Sequence, residues 1–363
     1  MKLTWERVAL RTKRPFVIAR WGYAGHENVI VTVTDDDGVV GRGEAAPNRY
    51  YGESPGSVIA ALDRYAAVLA DAGRDWSLEG IEAALVTAMR GNASARAAVS
   101  AALHDLHAKR LNAPLWRVWG LDPAAAPPSS FTIAIDDEAG LRERVAEAAE
   151  YPILKIKLGT DYDESIVRTV RDAAPNKILR VDANAAWAPK HAVYMSHVLR
   201  DFGVESIEQP VAAGDIDGLR FVFERSPLPV LADESCLTAH DVPRLAGACD
   251  GLNLKLAKTG SLREAMRLIH AARAHDLRVM AGCMIESSLG ISAIAQLAPL
   301  LDAADFDGAA LLADDPYTGV SIAGGRVALR DEPGVGAEPV TVSGQGEAAP
   351  QAARSRTQAR SQA

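Results

Sequence analysis

The sequence is short of the features that would assign it to a special class. Only three cysteines occur in 363 residues, Cys236, Cys249 and Cys283, and no two are spaced C-x-x-C. So sparse and odd a set excludes a disulfide framework and suits a reducing cytoplasm. No apolar run approaches the ~20 residues of a membrane span. The opening Met1-Lys2-Leu3-Thr4-Trp5-Glu6-Arg7 lacks the apolar core of a signal peptide, so none is expected. Basic charge is scarce as well. A net charge of −8 argues against nonspecific nucleic-acid binding, which needs a basic surface. The expectation is a cytoplasmic protein without a membrane or nucleic-acid partner.

What is present is an ordinary globular composition, 48% apolar and 24% charged. The length is large for one domain and suits a barrel plus a smaller module. Residues 1 to about 60 read as strands, with a turn at Asp35-Asp36-Asp37-Gly38. Ser57 to Leu69 and Ala93 to Arg110 have helical spacing. Strands followed by helices without alternation predict an α+β module over 1–122. Pro123 to Pro128 reads as a linker. Alternation then predicts a barrel over 123–319, with strand one at Ser130 to Ile135, strand seven at Arg278 to Cys283 and strand eight near Asp305 to Leu312. Residues 320–330 read as a hairpin or return segment to the first module. From 331 to 363 large apolar residues all but vanish, which predicts a disordered tail.

Within the alternating region, one event recurs about every 25 residues, the length of a strand–helix unit. An apolar run ends in a charged residue: Ile153-Leu154-Lys155-Ile156-Lys157, Ile178 to Asp182, Val204 to Glu208, Pro229 to Asp233, and Leu252-Asn253-Leu254-Lys255. Parallel barrel strands converge at their C-terminal ends, where such folds carry their active sites. Asp182, Glu208 and Asp233 therefore meet there, with a lysine on either flank. One acid at a strand end commonly caps a helix or meets solvent. Three at matched positions repel and raise one another's pKa unless a cation neutralises them. An all-oxygen set suits Mg²⁺ better than Zn²⁺.

Lys155 and Lys157 lie two apart and so face the same side of a strand. Two ammonium groups about 4 Å apart repel by ~4 kcal/mol at an effective dielectric of 20. That is roughly three pKa units, enough to bring Lys157 toward the range of a lysine base. Lys255 comes from the far side of the mouth. Two bases on opposite faces of one carbon can remove a proton and return it inverted, next to a carboxylate whose enediolate the metal stabilises.

These stretches, with Val181-Asp182-Ala183-Asn184, Glu208-Gln209-Pro210, Ala232-Asp233-Glu234-Ser235 and Asn253 to Gly260, resemble the enolase superfamily and its muconate-lactonizing subgroup. The resemblance covers residues 1 to about 330. It implies an α/β fold, a (β/α)7β TIM-like barrel with an N-terminal α+β capping domain. The mandelate-racemase subgroup uses a strand-seven His, where this chain has Ala281-Gly282-Cys283-Met284. Within the subgroup the chain resembles the L-Ala-D/L-Glu dipeptide epimerases. That resemblance implies an isomerase with one Mg²⁺ per subunit on Asp182, Glu208 and Asp233. Lys157 and Lys255 would be the acid/base pair beside Lys155. Asp305 and Asp307 would hold the α-ammonium of a dipeptide from the cell wall.

Pro15 to Arg20 and Arg49 to Ser54 resemble the family's two capping loops. Arg20 is the candidate partner for a substrate side-chain carboxylate, and Tyr51 a candidate contact. Thr132 matches a substrate-binding threonine. Asn184 and Lys258 would support the metal carboxylates. His104 and His107 share a helix face in the first module and read as structural. A homo-oligomer is expected. The rival activities are muconate cycloisomerase, o-succinylbenzoate synthase and N-acylamino-acid racemase of the same subgroup. A non-catalytic metal-dependent binder has no use for two buried bases, and a Schiff-base aldolase is a weaker third alternative.

Overall fold

The structure is a computed structural model, and it describes residues 1–73 and 76–341. The chain opens with an antiparallel sheet of β1 (Lys2–Ile18), β2 (Trp21–Thr34) and β3 (Val40–Ala45). The β2–β3 turn closes on Asp35, whose Oδ1 accepts from Asp37 N and Val39 N, and Gly38 has φ 81°. The β1–β2 register runs from Lys2–Thr34 to Arg11–Gly25 and shifts before Phe16–Tyr23. Pro15, which has no N–H for a ladder, lies in that irregular stretch. Past it the hairpin tip leans onto the barrel, with Lys13 N on Leu311 O (2.9 Å) and Ile135 N on Val17 O (3.1 Å).

Three helices follow, α1 (Pro55–Ala70), α2 (Leu78–Ala88) and α3 (Ala93–Arg110). Ser54 and Ser57 form a capping box at α1, with Pro55 in its first turn. α3 lies directly on β3 because Gly41 and Gly43 have no side chain. A Cβ at either would come within 2.0 and 2.1 Å of the carbonyls of Ala102 and Ala98.

A short helix, α4 (Leu115–Val118), leads to the barrel. Its strands are β4 (Phe131–Ile133), β5 (Ile153–Lys157), β6 (Ile178–Asp182), β7 (Val204–Glu208), β8 (Val230–Ala232), β9 (Gly251–Leu254), β10 (Arg278–Gly282) and β11 (Ala303–Asp305). All pair in parallel in chain order. A bridge between Ser129 and Ala304 brings the last strand back to the first. The helices are α5 (Glu138–Glu147), α6 (Asp163–Ala173), α7 (Pro189–Asp201), α8 (Ile216–Phe223), the short α9 (Val242–Leu245) and α10 (Leu256–Thr259), α11 (Leu262–Ala274) and α12 (Ser288–Ala295). No barrel helix follows β11 among the described residues, so the architecture is the expected (β/α)7β barrel with an α+β cap. Leu154, Ile156 and Leu158 join the core beneath the helices, which turns Lys155 and Lys157 inward. No helix among the described residues is long and apolar enough to cross a membrane.

Three expectations need correction. Strand one is shorter, and strand eight ends at Asp305. Beyond it the chain turns, with Leu311 N on Asp307 O and Leu312 N on Ala309 O, so Ala309 to Leu312 only mimicked a strand. The 320–330 segment is a hairpin of β13 (Ser321–Ala323) and β14 (Arg326–Ala328), preceded by β12 (Tyr317–Thr318). It packs on the barrel, where Ser129 N meets Gly325 O at 2.7 Å, and meets the first module at its end, where Trp116 Nε1 donates to Arg330 O (3.1 Å). The return continues through the supposed tail. Gly334 exchanges backbone bonds with Ala113 and Leu115, Val335 and Ala337 are buried, and β15 (Glu338–Pro339) pairs with β12. Backbone pairing orders a stretch whose composition reads as disordered; residues 342–363 lie outside the described residues.

Asp105 on α3 ties this return in place. Its carboxylate accepts from Val335 N (2.8 Å), Arg42 N (2.9 Å) and Lys109 Nζ (2.8 Å). Asp105→Ala strands those donors in a buried site, so unfolding in denaturant should show a loss of about 3 kcal/mol. His104 is buried with Nδ1 on Ser100 O (2.8 Å), and burial pulls its pKa down to about 4 from 6.5. A depressed histidine stabilises the fold when neutral. That contribution is complete above pH 6.5 and is lost as pH falls toward 4. The stability-versus-pH slope in that window should flatten by up to one proton in His104→Gln.

Candidate active site

The three acids reach one point because register forces them to. Lys157, Asp182 and Glu208 are directly paired across β5, β6 and β7, and Asp233 stands one residue beyond β8. One carboxylate oxygen from each of Asp182, Glu208 and Asp233 lies within 4.8 Å of the others, and all three residues are buried. Lys157 Nζ donates to Asp182 Oδ2 (2.6 Å) and Lys255 Nζ to Asp233 Oδ2 (2.7 Å). Lys155 Nζ lies 2.8 Å from both Glu208 and Asp305, and 3.4 Å from Asp182.

A ring of neighbours holds these groups still. Lys258 Nζ bonds Asp233 through both carboxylate and carbonyl, and Asn253 O at 2.8 Å. Asn184 Nδ2 reaches Asp182 Oδ2 (3.1 Å), and Asn253 Nδ2 reaches Glu208 Oε1 (2.7 Å). Gln209, at φ 35°, accepts from Asp233 N and Ser235 N through its Oε1. The strain of a left-handed non-glycine residue is retained where it serves the site. Asn184 Oδ1, Asn253 Oδ1 and Glu234 Oε2 are buried without a partner among the described residues. Unpaired buried acceptors beside three carboxylates fit a hard divalent cation and the water it carries.

The chain matches the family model "Mandelate racemase / muconate lactonizing enzyme, N-terminal domain" over residues 2–120, and "Enolase C-terminal domain-like" over 137–341. The chain belongs to this enolase-superfamily family. It is similar to the L-Ala-D/L-Glu epimerase of Bacteroides thetaiotaomicron, with 38% identity over 338 residues, 93% of this chain and 87% of that one. The substrate-liganded L-Ala-D/L-Glu epimerase of Bacillus subtilis superposes with a TM-score of 0.88 at 30% identity, covering 94% of this chain and 100% of that one. The Enterococcus faecalis dipeptide epimerase, complexed with Mg and L-Leu-L-Tyr, gives 0.87 at 30% identity over 93% and 98%.

In this enolase-superfamily member the electrostatics follow from crowding. Burial works against a charged Lys155, but Asp305, Glu208 and Asp182 hold its pKa well above the usual lysine value. Lys155 and Lys157 thus do not simply oppose one another, because Asp182 stands against both and Lys155 has Glu208 and Asp305 besides. Burial pushes Asp233 up, and Lys255 and Lys258 outweigh it to hold the carboxyl well below its usual range. Burial and then Asp182 push Glu208 up to about 8.

One cavity at the mouth brings together Arg20, Tyr51, Thr132, Lys155, Lys157, Asn184, Lys255, Asp305 and Asp307. Asp305 accepts from Lys155 (2.8 Å) and Ser130 (2.7 Å); Asp307, past the strand end, accepts from Thr132 N (2.6 Å). Burial and Asp305 push Asp307 up to about 7. Arg20 lies over Tyr50 and pairs with Glu234 (2.6 Å) and Asn184 O (2.7 Å), while its Nε has no partner. Sequence reasoning missed Asn253, Gln209 and Glu234 as functional residues, although all three fall inside quoted motifs. Their neutral or off-register side chains carry no charge pattern. Ile18, Met284 and Ile285, which wall the cavity, were also missed.

Asn253 touches Glu208 from behind, so Asn253→Ala should weaken divalent-cation binding 10–100-fold, the usual effect of losing an outer partner. Calorimetric titration with Mg²⁺ checks this without any turnover. Unchanged affinity would remove Asn253 from the cation site.

Proposed function

We propose that this chain is a cytoplasmic, Mg²⁺-dependent dipeptide epimerase that inverts the α-carbon of the C-terminal residue, with L-Ala-D/L-Glu as substrate. The observation that carries the reading is the separate anchoring of two lysines, Lys157 on Asp182 and Lys255 on Asp233, both lining one cavity. Asp182, Glu208 and Asp233 would hold the cation, which supplies Lewis-acid stabilisation of the negative charge that grows on the substrate carboxylate. The neutral lysine on one face takes the α-proton onto its Nζ. The lysine on the other face, as ammonium, delivers a proton to the same carbon. Each turnover thus exchanges the protonation states of Lys157 and Lys255 and reverses the configuration.

Asp305 and Asp307 suit the free α-ammonium, since two buried acids need a cation and Lys155 satisfies only the first. Lyases and N-acylamino-acid racemases of the same subgroup act on substrates without that ammonium. Arg20, which lines the cavity and pairs with Glu234 (2.6 Å), is the candidate partner for a side-chain carboxylate. Thr132 and Tyr51 line the same space.

Lys157→Ala and Lys255→Ala should each abolish epimerisation and leave Mg²⁺ binding intact. In D₂O one variant should still exchange the α-proton of a single epimer, read by mass gain without loss of optical activity. Full activity in either would end the two-base mechanism. Separately, N-acetylating the dipeptide leaves Asp305 and Asp307 facing a neutral amide. kcat/KM should fall by about a few hundredfold if ~4 kcal/mol of charge-assisted bonding is lost. Better turnover of N-acylated amino acids than of any free dipeptide would instead favour the N-acylamino-acid racemase reading.

A further inference from the structure

One polar side chain at the mouth belongs to neither the metal set nor the bases. Asn28, on β2 of the cap, is 2% exposed and lines the mouth cavity. Its Nδ2 donates to Glu44 Oε1 (2.7 Å) and to Ile285 O (2.9 Å). A carboxylate and a carbonyl can only accept, so both bonds require the amide nitrogen at that position. Both amide hydrogens are then used, and the orientation of the amide is set. Its carbonyl, Oδ1, accepts no hydrogen bond among the described residues. It is also not among the buried atoms that lack a partner, so it keeps access to the cavity.

The anchor behind it is itself immobile. Glu44 is buried on β3 and accepts from Ser287 N (3.1 Å), Ser287 Oγ and Gly290 N (3.1 Å) at the start of α12. Ile285, the other partner of Asn28, belongs to the same loop and lines the same cavity. A capping-domain carboxylate thus grips a barrel helix and fixes an amide at the mouth at once. An oriented acceptor at a mostly buried position calls for a donor that arrives with the ligand.

We propose that Asn28 Oδ1 accepts a hydrogen bond from the peptide N–H of the substrate, with Glu44 as the positioning residue that keeps the carbonyl aimed. This rests on the dipeptide reading above. The α-ammonium is matched by Asp305 and Asp307, which leaves the peptide N–H as the substrate donor still to be paired. The contact selects substrates joined through a secondary amide. It rejects esters and N-alkylated peptides of the same shape.

The test is calorimetric binding to the Mg²⁺-loaded full chain. The probes are L-Ala-L-Glu and the depsipeptide in which an ester oxygen replaces the peptide N–H. The wild type should bind the dipeptide about tenfold or more tightly. In Asn28→Ala that ratio should fall to about twofold or less, through weaker binding of the dipeptide. Asn28→Thr keeps a hydroxyl donor for Glu44 in a strand that suits a β-branched residue, so it guards against a variant that fails to fold, and it should show the same loss. A wild-type ratio retained in either folded variant overturns the proposal. So does an equal fall for both probes, which is the mark of a structural role, or a wild type that binds both alike. If the wild type binds the dipeptide but does not epimerise it, the epimerase reading fails and the Asn28 ratio still decides this one.

Discussion

Three carboxylates in one buried spot are the constraint on which the rest of the structure depends. Asp182, Glu208 and Asp233 bring their oxygens within 4.8 Å in a place that water barely reaches. Such a cluster survives only if cations and donors surround it. Lys155, Lys157, Lys255 and Lys258 all bond to it, and Asn184 and Asn253 supply neutral donors. The barrel makes that possible because eight strands aim their ends inward. The left-handed backbone at Asn184 and Gln209 is the local cost of turning the chain tightly enough for side chains to face back toward the acids.

Much of this was legible because the signal is charge at the end of an apolar run. Lys157, Asp182, Glu208, Asp233 and Lys255 interrupt strands that would otherwise bury only hydrocarbon, and a period of two tells which face each occupies. What stayed hidden lacks that contrast. Asn253 stands in a strand as one neutral polar residue, and nothing in its neighbourhood says that its amide meets Glu208. The pair of Glu44 and Ser287 joins residues 243 positions apart, so no local pattern could connect them. The 331–341 return failed for another reason. It is held by backbone bonds from Gly334 and Val335, and backbone groups are the same in every sequence.

The two domains divide the site between them. The barrel holds the three acids that could carry a cation and the lysines bonded to them. The cap supplies Arg20 and Asn28 from its hairpin and Tyr51 from the following turn. The hairpin can serve as a wall because its tip is bonded to the barrel at Leu311 and Ile135, and because Gly41 and Gly43 let α3 lie tightly on β3 behind it. Arg20 also reaches down to Glu234 (2.6 Å) and to the Asn184 carbonyl (2.7 Å), so the cap bonds the same strand-end loops that carry Asp182 and Asp233.

Lysine at the two flanking positions suits the proposed role of base. An arginine could pair with Asp182 or Asp233 as well, and bidentately, but it stays protonated at every accessible pH. Lysine can lose its proton when its surroundings permit. Here the three mouth lysines differ in their anchors. Lys155 has Asp305 in addition to the triad, an acid that no cation on Asp182, Glu208 and Asp233 would claim, so it remains a fixed charge. Lys157 and Lys255 each rest on a single oxygen of the triad, Asp182 Oδ2 and Asp233 Oδ2. The residues that would hold a cation are thus the same ones that anchor Lys157 and Lys255. Lys155 keeps Asp305 whatever the triad holds, whereas Lys157 and Lys255 have no carboxylate partner outside the triad among the described residues.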